Sequence, residues 1–432
     1  MEEGRIPGLT IAVAVDDEVV WSEGFGLANL EANSPATPAS RFRIASLSKN
    51  LTGTAVALLV EQGRLDLDRP VHEYLPDLPD SWRGMTTRHL VTHTSGITHY
   101  ISEEDAQDLT FYATTRDALA RFTDRPLAHP PGEKETYSSY AYTVVAAVIE
   151  AVTERDFLGF IQEALFAPLG MTRTGPDLST AIIHGRTGFY EYGPDRQVRP
   201  ATRLDLSGRW AGSGFLSTAE DLARFGVAHT RPGFLAQSTL EMIAARQPLP
   251  GGGFTKEGMG WGPREDWDGR SSIWGNGITP GATGGLIVYP SRRLTVALLS
   301  NIRHAPIDRG EFQMLARRFL AAIEGSPAAA LPKSWYGRYD IKAASGDTVL
   351  RGTLDVSFVG GRPGGSLRFQ GWQEFRIADG FLIGEEAWIV GVNGESGVMP
   401  LRVRRSGDEI AGDAPRIGFT LKGRRSSEPG PS

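Results

Sequence analysis

The chain contains no cysteine, and that absence removes disulfides, thiolate zinc sites, iron–sulfur clusters and a thiol nucleophile from consideration. It leaves the redox compartment open. Long apolar runs are also missing: the longest, Thr54 to Val60 and Val144 to Val152, fall short of the roughly 18 residues a spanning helix needs, so no membrane span is expected. Charge of one sign is nowhere concentrated. The 45 Lys and Arg set against 51 Asp and Glu give a net charge of −6, with no basic stripe for a phosphate backbone, and no nucleic-acid partner is expected. A Gly-x-Ser-x-Gly elbow is absent, which argues against an α/β-hydrolase. The opening residues, Met-Glu-Glu-Gly-Arg-Ile-Pro-Gly, carry no basic and apolar leader. Glu2 to Arg5 read as the last turn of a helix ending at a glycine, which suggests a start at an internal methionine or a trimmed N-terminus. A leader upstream, and with it export, stays open; the compartment is unassigned.

What is present is an ordinary globular composition, 432 residues with 40% hydrophobic content, enough for a full core and longer than one typical domain. Leu9 to Val15 and Val19 to Phe25 alternate apolar and polar around Asp16-Asp17-Glu18, as a β-hairpin would. From Ser46 to Glu61 the apolar positions recur at helical spacing, with Gly63 where a helix end favours a left-handed residue. Thr86 to Thr92, Arg116 to Phe122, Ser139 to Thr153 and Phe157 to Phe166 read as further helices. Ser217-Thr218-Ala219-Glu220 reads as a capping box opening a helix to about His229. Residues 284 to 300 read as two strands around a Pro-Ser-Arg-Arg turn, and Glu311 to Ile323 as a closing helix. Strands at both ends with helices between imply one antiparallel sheet flanked by helices over 1–325.

Gly325 to Pro332 is small and proline-bounded, a linker over 326–333. Beyond it the chain changes to short strands separated by glycine turns. Nine candidates, Trp335–Ile341, Val349–Phe358, Ser366–Gln370, Glu374–Ile377, Phe381–Gly384, Trp388–Val392, Val398–Arg405, Glu409–Gly412 and Arg416–Lys422, suggest an up-and-down, lipocalin-like all-β barrel at 334–422. A disordered tail is expected at 423–432.

The chemistry concentrates at Ser46-Leu47-Ser48-Lys49. On a helix, serine and lysine three residues apart stack on one face with their tips in hydrogen-bond reach. A desolvated lysine can take a serine's proton, and a helix start aims backbone N–H groups at a developing oxyanion. Taken alone, the pattern also fits a capping serine beside a solvated lysine. The wider context is more specific. Phe42-Arg-Ile-Ala-Ser-Leu-Ser-Lys49 is followed by Gly63 to Pro70, Leu90-Val-Thr-His-Thr-Ser-Gly96, Pro131-Gly132, Tyr137-Ser-Ser139, Leu169-Gly-Met171, Trp210 to Thr218 and Pro280-Gly281.

That order of landmarks, from residue 6 to about 301, resembles the class C β-lactamase and penicillin-binding-protein type of serine hydrolase. The likeness is strongest to its mitochondrial β-lactamase-like branch, around Ile97 to Tyr100 and Trp210 to Gly226. The resemblance implies an acyl-enzyme at Ser46, with Lys49 and Tyr137 handling its proton, Tyr137 as a phenol of depressed pKa. Ser139 falls where the family carries a substrate-contacting asparagine. The family's third element, a Lys-Thr-Gly or His-Thr-Gly strand, maps onto Gly275-Asn276-Gly277, so a glycine replaces the cation or imidazole. That makes anionic, penicillin-like substrates less attractive. Trp274 resembles the tryptophan of the family's esterases, although strand parity puts it on the other face unless the strand bulges. Backbone N–H groups of Ser46 and Ile278 are expected to form the oxyanion hole.

Other features take plainer readings. His89 and His93 lie four apart but lack a following Glu and a third ligand, so packing and capping are favoured and no metal is expected. Trp210, Trp261, Trp267 and Trp274 either line an acyl pocket or belong to the core. No cofactor is expected. The expected substrate is a small ester, amide or peptide, so esterase, peptidase and D-aminoacyl amidase activity all fit. A binding or scaffold protein, motivated by Gly275, and an acyltransferase or peptide cyclase are the alternatives. Oligomeric state is left open.

Overall fold

A computed structural model describes residues 5–307, 309–393 and 397–426; of the helix turn expected over Glu2 to Arg5, all but Arg5 lies outside them. Contacts divide the chain into two units, Arg5–Ala305 and the residues from Pro306 on.

The first unit is built on one antiparallel sheet. Its strands are β1 (Gly8–Val15), β2 (Glu18–Asn29), β3 (Ser34–Pro35), β4 (Gly262–Glu265), β5 (Ser271–Thr279), β6 (Ala282–Tyr289) and β7 (Leu294–Ser300), in the spatial order β3-β2-β1-β7-β6-β5-β4. Strands from the two ends of the unit therefore meet at its centre, Leu9 opposite Ser300 and Val13 opposite Val296. Both β6 and β7 are buried at every position, as central strands covered on two faces must be.

Helices cover this sheet. α1 (Ser48–Glu61) is buried on all sides from Ser48 to Leu59, its apolar second half by core packing and its polar first half with partners such as Gly212 O for Lys49, Gly260 O for Asn50 and Ala211 O for Thr52, and Gly63 at φ +66° follows its end. A side chain on Gly53 would meet the Met259 carbonyl at 2.0 Å, so the next segment lies directly on the helix. α2 (Ser139–Thr153) starts at Ser138, whose Oγ accepts from Ala141 N. α3 (Ala219–Val227) packs against β1 and β7, where Gly226 sits so close that a Cβ would meet Thr295 at 2.3 Å. The cap of α3 is Thr218, accepting from Asp221 N. Ser217, expected in that role, is instead the last residue of a short strand, and its hydroxyl bonds Thr174. The Phe157 helix passes into a π turn over Gln162–Phe166.

In the second unit, α4 (Arg309–Ile323) precedes eight strands: β8 (Gly337–Ser345), β9 (Thr348–Val359), β10 (Arg362–Phe369), β11 (Phe375–Ile383), β12 (Glu386–Asn393), β13 (Gly397–Ser406), β14 (Glu409–Ala414) and β15 (Phe419–Arg425). Each pairs with the next, and β15 closes on β8. The barrel is up-and-down, as expected, but two expected strands are one: Glu374–Ile377 and Phe381–Gly384 belong to β11, and Ala-Asp-Gly between them is an irregularity in register rather than a turn. The expected tail also begins too early, since Gly423 pairs with Ile341 and Arg425 with Tyr339; residues 427–432 lie outside the described chain. Within the expected linker, Ala329–Ala330 pairs with β11.

The division at Pro306 falls ahead of the expected boundary at 325 because α4 is tied to the barrel. The Arg317 guanidinium lies 3.6 Å from the Trp388 ring centroid and that of Arg318 4.1 Å from Phe381, while Glu311 accepts from Val398 N at 3.2 Å. Inward side chains of the strands, Tyr339, Ile341, Leu354, Leu367, Ile389 and Leu401 among them, form one continuous core, so the barrel interior is packed.

Candidate active site

A three-stranded ribbon delivers the chain to the site. Phe42–Arg43 pairs with Phe215–Ser217, and Ile44 N donates to Phe215 O at 3.0 Å. Ala45 then adopts φ +49°, a left-handed conformation that costs a non-glycine residue about 1 kcal/mol or more. This strained step opens a 3₁₀ turn, Ala45–Leu47, before α1 begins at Ser48. Ser46 caps neither helix, so its hydroxyl is free for other partners and the capping alternative falls away.

Those partners converge. Ser46 Oγ is 2.7 Å from Tyr137 Oη and accepts from Lys49 Nζ at 3.3 Å. Lys49 is 2% exposed and also donates to Ser139 Oγ at 3.0 Å and to Gly212 O at 2.8 Å. All its acceptors are neutral, so desolvation dominates and holds the ammonium down to about 8. Tyr137 moves the opposite way from the expected depression. Burial pushes its phenol up to about 12, with the hydrogen bond to Ser46 working against the rise. The side chain is 41% exposed, so water in an open cleft also opposes that rise. The phenol is neutral at physiological pH.

Tyr137 is held by two imidazoles. Its ring lies 4.4 Å from that of His93 and edge-on to His99 at 5.2 Å, while Ser138 N donates to His93 Nδ1 and Ser139 N to His99 Nδ1, both at 3.2 Å. Burial and the charge of Lys49 lower both imidazoles, His99 to about 4, so both remain neutral acceptors. His89 does cap, its Nδ1 accepting from Thr86 N.

The opposite wall is β5. It pairs with β4 only from Ser271 to Trp274, and beyond that it runs against the Ala45–Leu47 turn. A Cβ at Gly277 would meet Ile44 O at 2.2 Å and Ser46 N at 2.8 Å; only glycine lets the strand approach so closely. A Cβ at Gly275 would meet the Asn50 side chain at 2.4 Å, so the space of the missing side chain is filled by Asn50, which donates to Gly260 O at 2.8 Å. Alternation places Asn276 and Ile278 on the other face. Trp274 shares that face: its register with Ile287 and Gly262 is regular, and it is 8% exposed. No bulge turns its ring toward Ser46, which corrects the expectation that it touches substrate. Trp261 is core, stacked on Phe225, and Trp210 packs partly buried against the same core.

A family model described as Beta-lactamase matches the chain over residues 1–317. The chain belongs to the β-lactamase family. Within this serine hydrolase family it is 30% identical over 347 residues to human serine beta-lactamase-like protein LACTB, mitochondrial, covering 60% of this chain and 63% of that one, so it spans under two thirds of that relative. Penicillin-binding protein 4* of Bacillus subtilis is 27% identical over 307 residues, 68% of this chain and 67% of the relative. The octameric penicillin-binding protein homologue from Pyrococcus abyssi shares the fold at a TM-score of 0.64 with 22% identity, covering 98% of this chain and 97% of the other.

Several contributors escaped the sequence reading. Gly212 acts through a carbonyl, which no side-chain pattern reveals. Asn50 follows Lys49 directly, yet its importance depends on Gly275 being across from it. His99 lies in the Ile97 to Tyr100 segment singled out for its likeness, without a role attached. Glu257 has no hydrogen-bond partner for its carboxylate among the described residues, and burial raises its pKa while Arg264 and Lys49 oppose the rise.

Proposed function

We propose that Ser46 is the nucleophile of a serine hydrolase that forms an acyl-enzyme with a small ester, amide or peptide. The single observation that carries this reading is Ser46 Oγ in hydrogen-bond reach of both Tyr137 and Lys49. With Lys49 held to about 8, roughly a tenth of it is neutral at pH 7, and that amine takes the serine proton as Oγ attacks the carbonyl. Backbone N–H groups of Ser46 and Ile278 receive the oxyanion, a pairing supported by the contact of Gly277 with Ser46 N. Tyr137, neutral and facing the cleft, relays the proton from Lys49 to the departing alkoxide or amine. Water then attacks the acyl carbon by the reverse path and frees Ser46. Ser139 serves this cycle by holding Lys49. No step calls for a cofactor.

Intact-mass spectrometry after a fluorophosphonate probe tests the reading, beside a Ser46→Ala variant and hydrolysis of p-nitrophenyl esters and of D- and L-aminoacyl anilides. One adduct, lost in the variant, is expected, and the substrate panel then separates esterase from amidase. No adduct and no turnover would overturn the reading in favour of a scaffold.

A further inference from the structure

Arg209 stands out among the buried charges of the first unit. It is 8% exposed, yet its guanidinium has no hydrogen-bond acceptor and no ion-pair partner among the described residues. Its nitrogens are not among the sealed polar atoms, so they keep contact with solvent. Arg43 shows what a completed site looks like in the same unit: 5% exposed, it donates to Asp177 at 2.7 Å and to Pro280 O at 2.9 Å. A cation taken so far out of water is normally paired, and an Arg with five donors and no acceptor is a receptor awaiting an anion.

Its position ties Arg209 to the site. The Arg209 guanidinium lies 5.0 Å from the Tyr100 ring centroid, Tyr100 stacks on His99 at 4.2 Å, and His99 meets Tyr137 at 5.2 Å. Three residues further along the chain, Gly212 accepts from Lys49. Its charge acts on both Lys49 and His99. We propose that Arg209 anchors a carboxylate on the acyl part of the substrate, beside Tyr100. This rests on the hydrolase reading above, and it reverses the expectation, drawn from Gly275, that anionic substrates are disfavoured. The other partnerless charge near Lys49, Glu257, has the wrong sign for this ligand, so the carboxylate is assigned to the Tyr100 side alone.

The test compares mono-p-nitrophenyl glutarate with its methyl ester, which has nearly the same shape without the charge. Wild-type protein is expected to favour the acid at least tenfold in kcat/KM, Arg209→Gln to lose that ratio, and Arg209→Lys to recover part of it. A ratio of one or below in wild type, or one unchanged in Arg209→Gln, overturns the proposal. Turnover of the methyl ester retained by Arg209→Gln shows that the variant is folded, so that a lost ratio reads the charge and not general damage. Calorimetric titration of glutarate into Ser46→Ala protein reads the anion site without turnover: binding abolished by adding Arg209→Gln supports it, and absence of binding overturns it even where the esters are hydrolysed. Absence of any Ser46 adduct with glutarate binding intact would sink only the hydrolase reading.

Discussion

The two units of this chain solve burial in opposite ways. The barrel fills its interior with apolar side chains, from Tyr339 on β8 to Leu421 on β15, and leaves its charges on the outer positions of the same strands, as the alternation along β8 illustrates. The first unit has a larger apolar core but interrupts it beside α1, where Lys49, Ser139, His93 and Arg209 are all buried. Buried polar groups cost free energy unless satisfied, and here they converge: Lys49 bonds Ser46 and Ser139, and His93 packs on Tyr137. Burial in the barrel produces stability; burial around α1 exchanges stability for a tuned amine.

Breaking that exchange at Lys49 should give the largest effect. Lys49→Met removes the proposed base, and kcat/KM for an ester should fall by about three orders of magnitude or more. The same change should stabilise the protein. Lys49 is held to about 8 when folded against 10.5 for the free side chain, so folding is penalised fully below pH 8 and the penalty fades as pH rises toward 10.5. At pH 7 the gain is bounded at about 3 kcal/mol, measurable by denaturant titration. In wild type, kcat/KM should rise with pH through about 8 as Lys49 loses its proton; a flat profile there would remove Lys49 as the base.

The next effect concerns shape. Gly277→Ala places a methyl where Ile44 O stands at 2.2 Å and Ser46 N at 2.8 Å, so β5 must retreat from the turn. Losing one oxyanion donor costs about a hundredfold in kcat, and with the oxyanion hole as proposed that is the expected loss, with KM changed less. A smaller effect, about tenfold, is expected of His99→Leu, which deletes the acceptor for Ser139 N and the edge contact with Tyr137. His99 positions Tyr137 and touches no reacting atom, so the pH midpoint near 8 should stay in place while kcat falls. Acid should weaken the fold for the same reason: His93 and His99 titrate lower when folded than unfolded, so stability should decline as pH drops below about 6.5 toward 4.

Much of this was legible in the residues, unevenly. The hairpin at the start, α1 with Gly63 behind it, and α2 followed from period and punctuation, because local rules alone fix them. The barrel's closure followed from strand spacing, yet β11 was divided in two because Ala-Asp-Gly has the composition of a turn and only pairing with β12 shows otherwise. Ser217 reads as a cap because sequence does not show that a strand occupies it. At the site, Ser46, Lys49 and Tyr137 stood out by order and spacing. The direction of the Tyr137 shift did not, since it is set first by burial, which only the folded chain shows, with the hydrogen bond to Ser46, far off in sequence, working against it. Arg209 carried no motif at all; its interest comes from the acceptors that are not there.

The smallest expected effect on catalysis belongs to the barrel, and it sharpens the contrast between the units most directly. Leu401 is fully buried among the inward residues of the strands, and Leu401→Ala should cost the barrel about 2–5 kcal/mol. Each unit has its own apolar cluster, so the loss should appear as an earlier unfolding transition resolved from that of the first unit, with kcat for a p-nitrophenyl ester changed less than about twofold below that transition. A single shifted transition would mean that the two cores unfold as one. A kcat that falls with the barrel still folded would mean that the barrel contributes to turnover, and the division of labour drawn between stability in one unit and chemistry in the other would have to be abandoned.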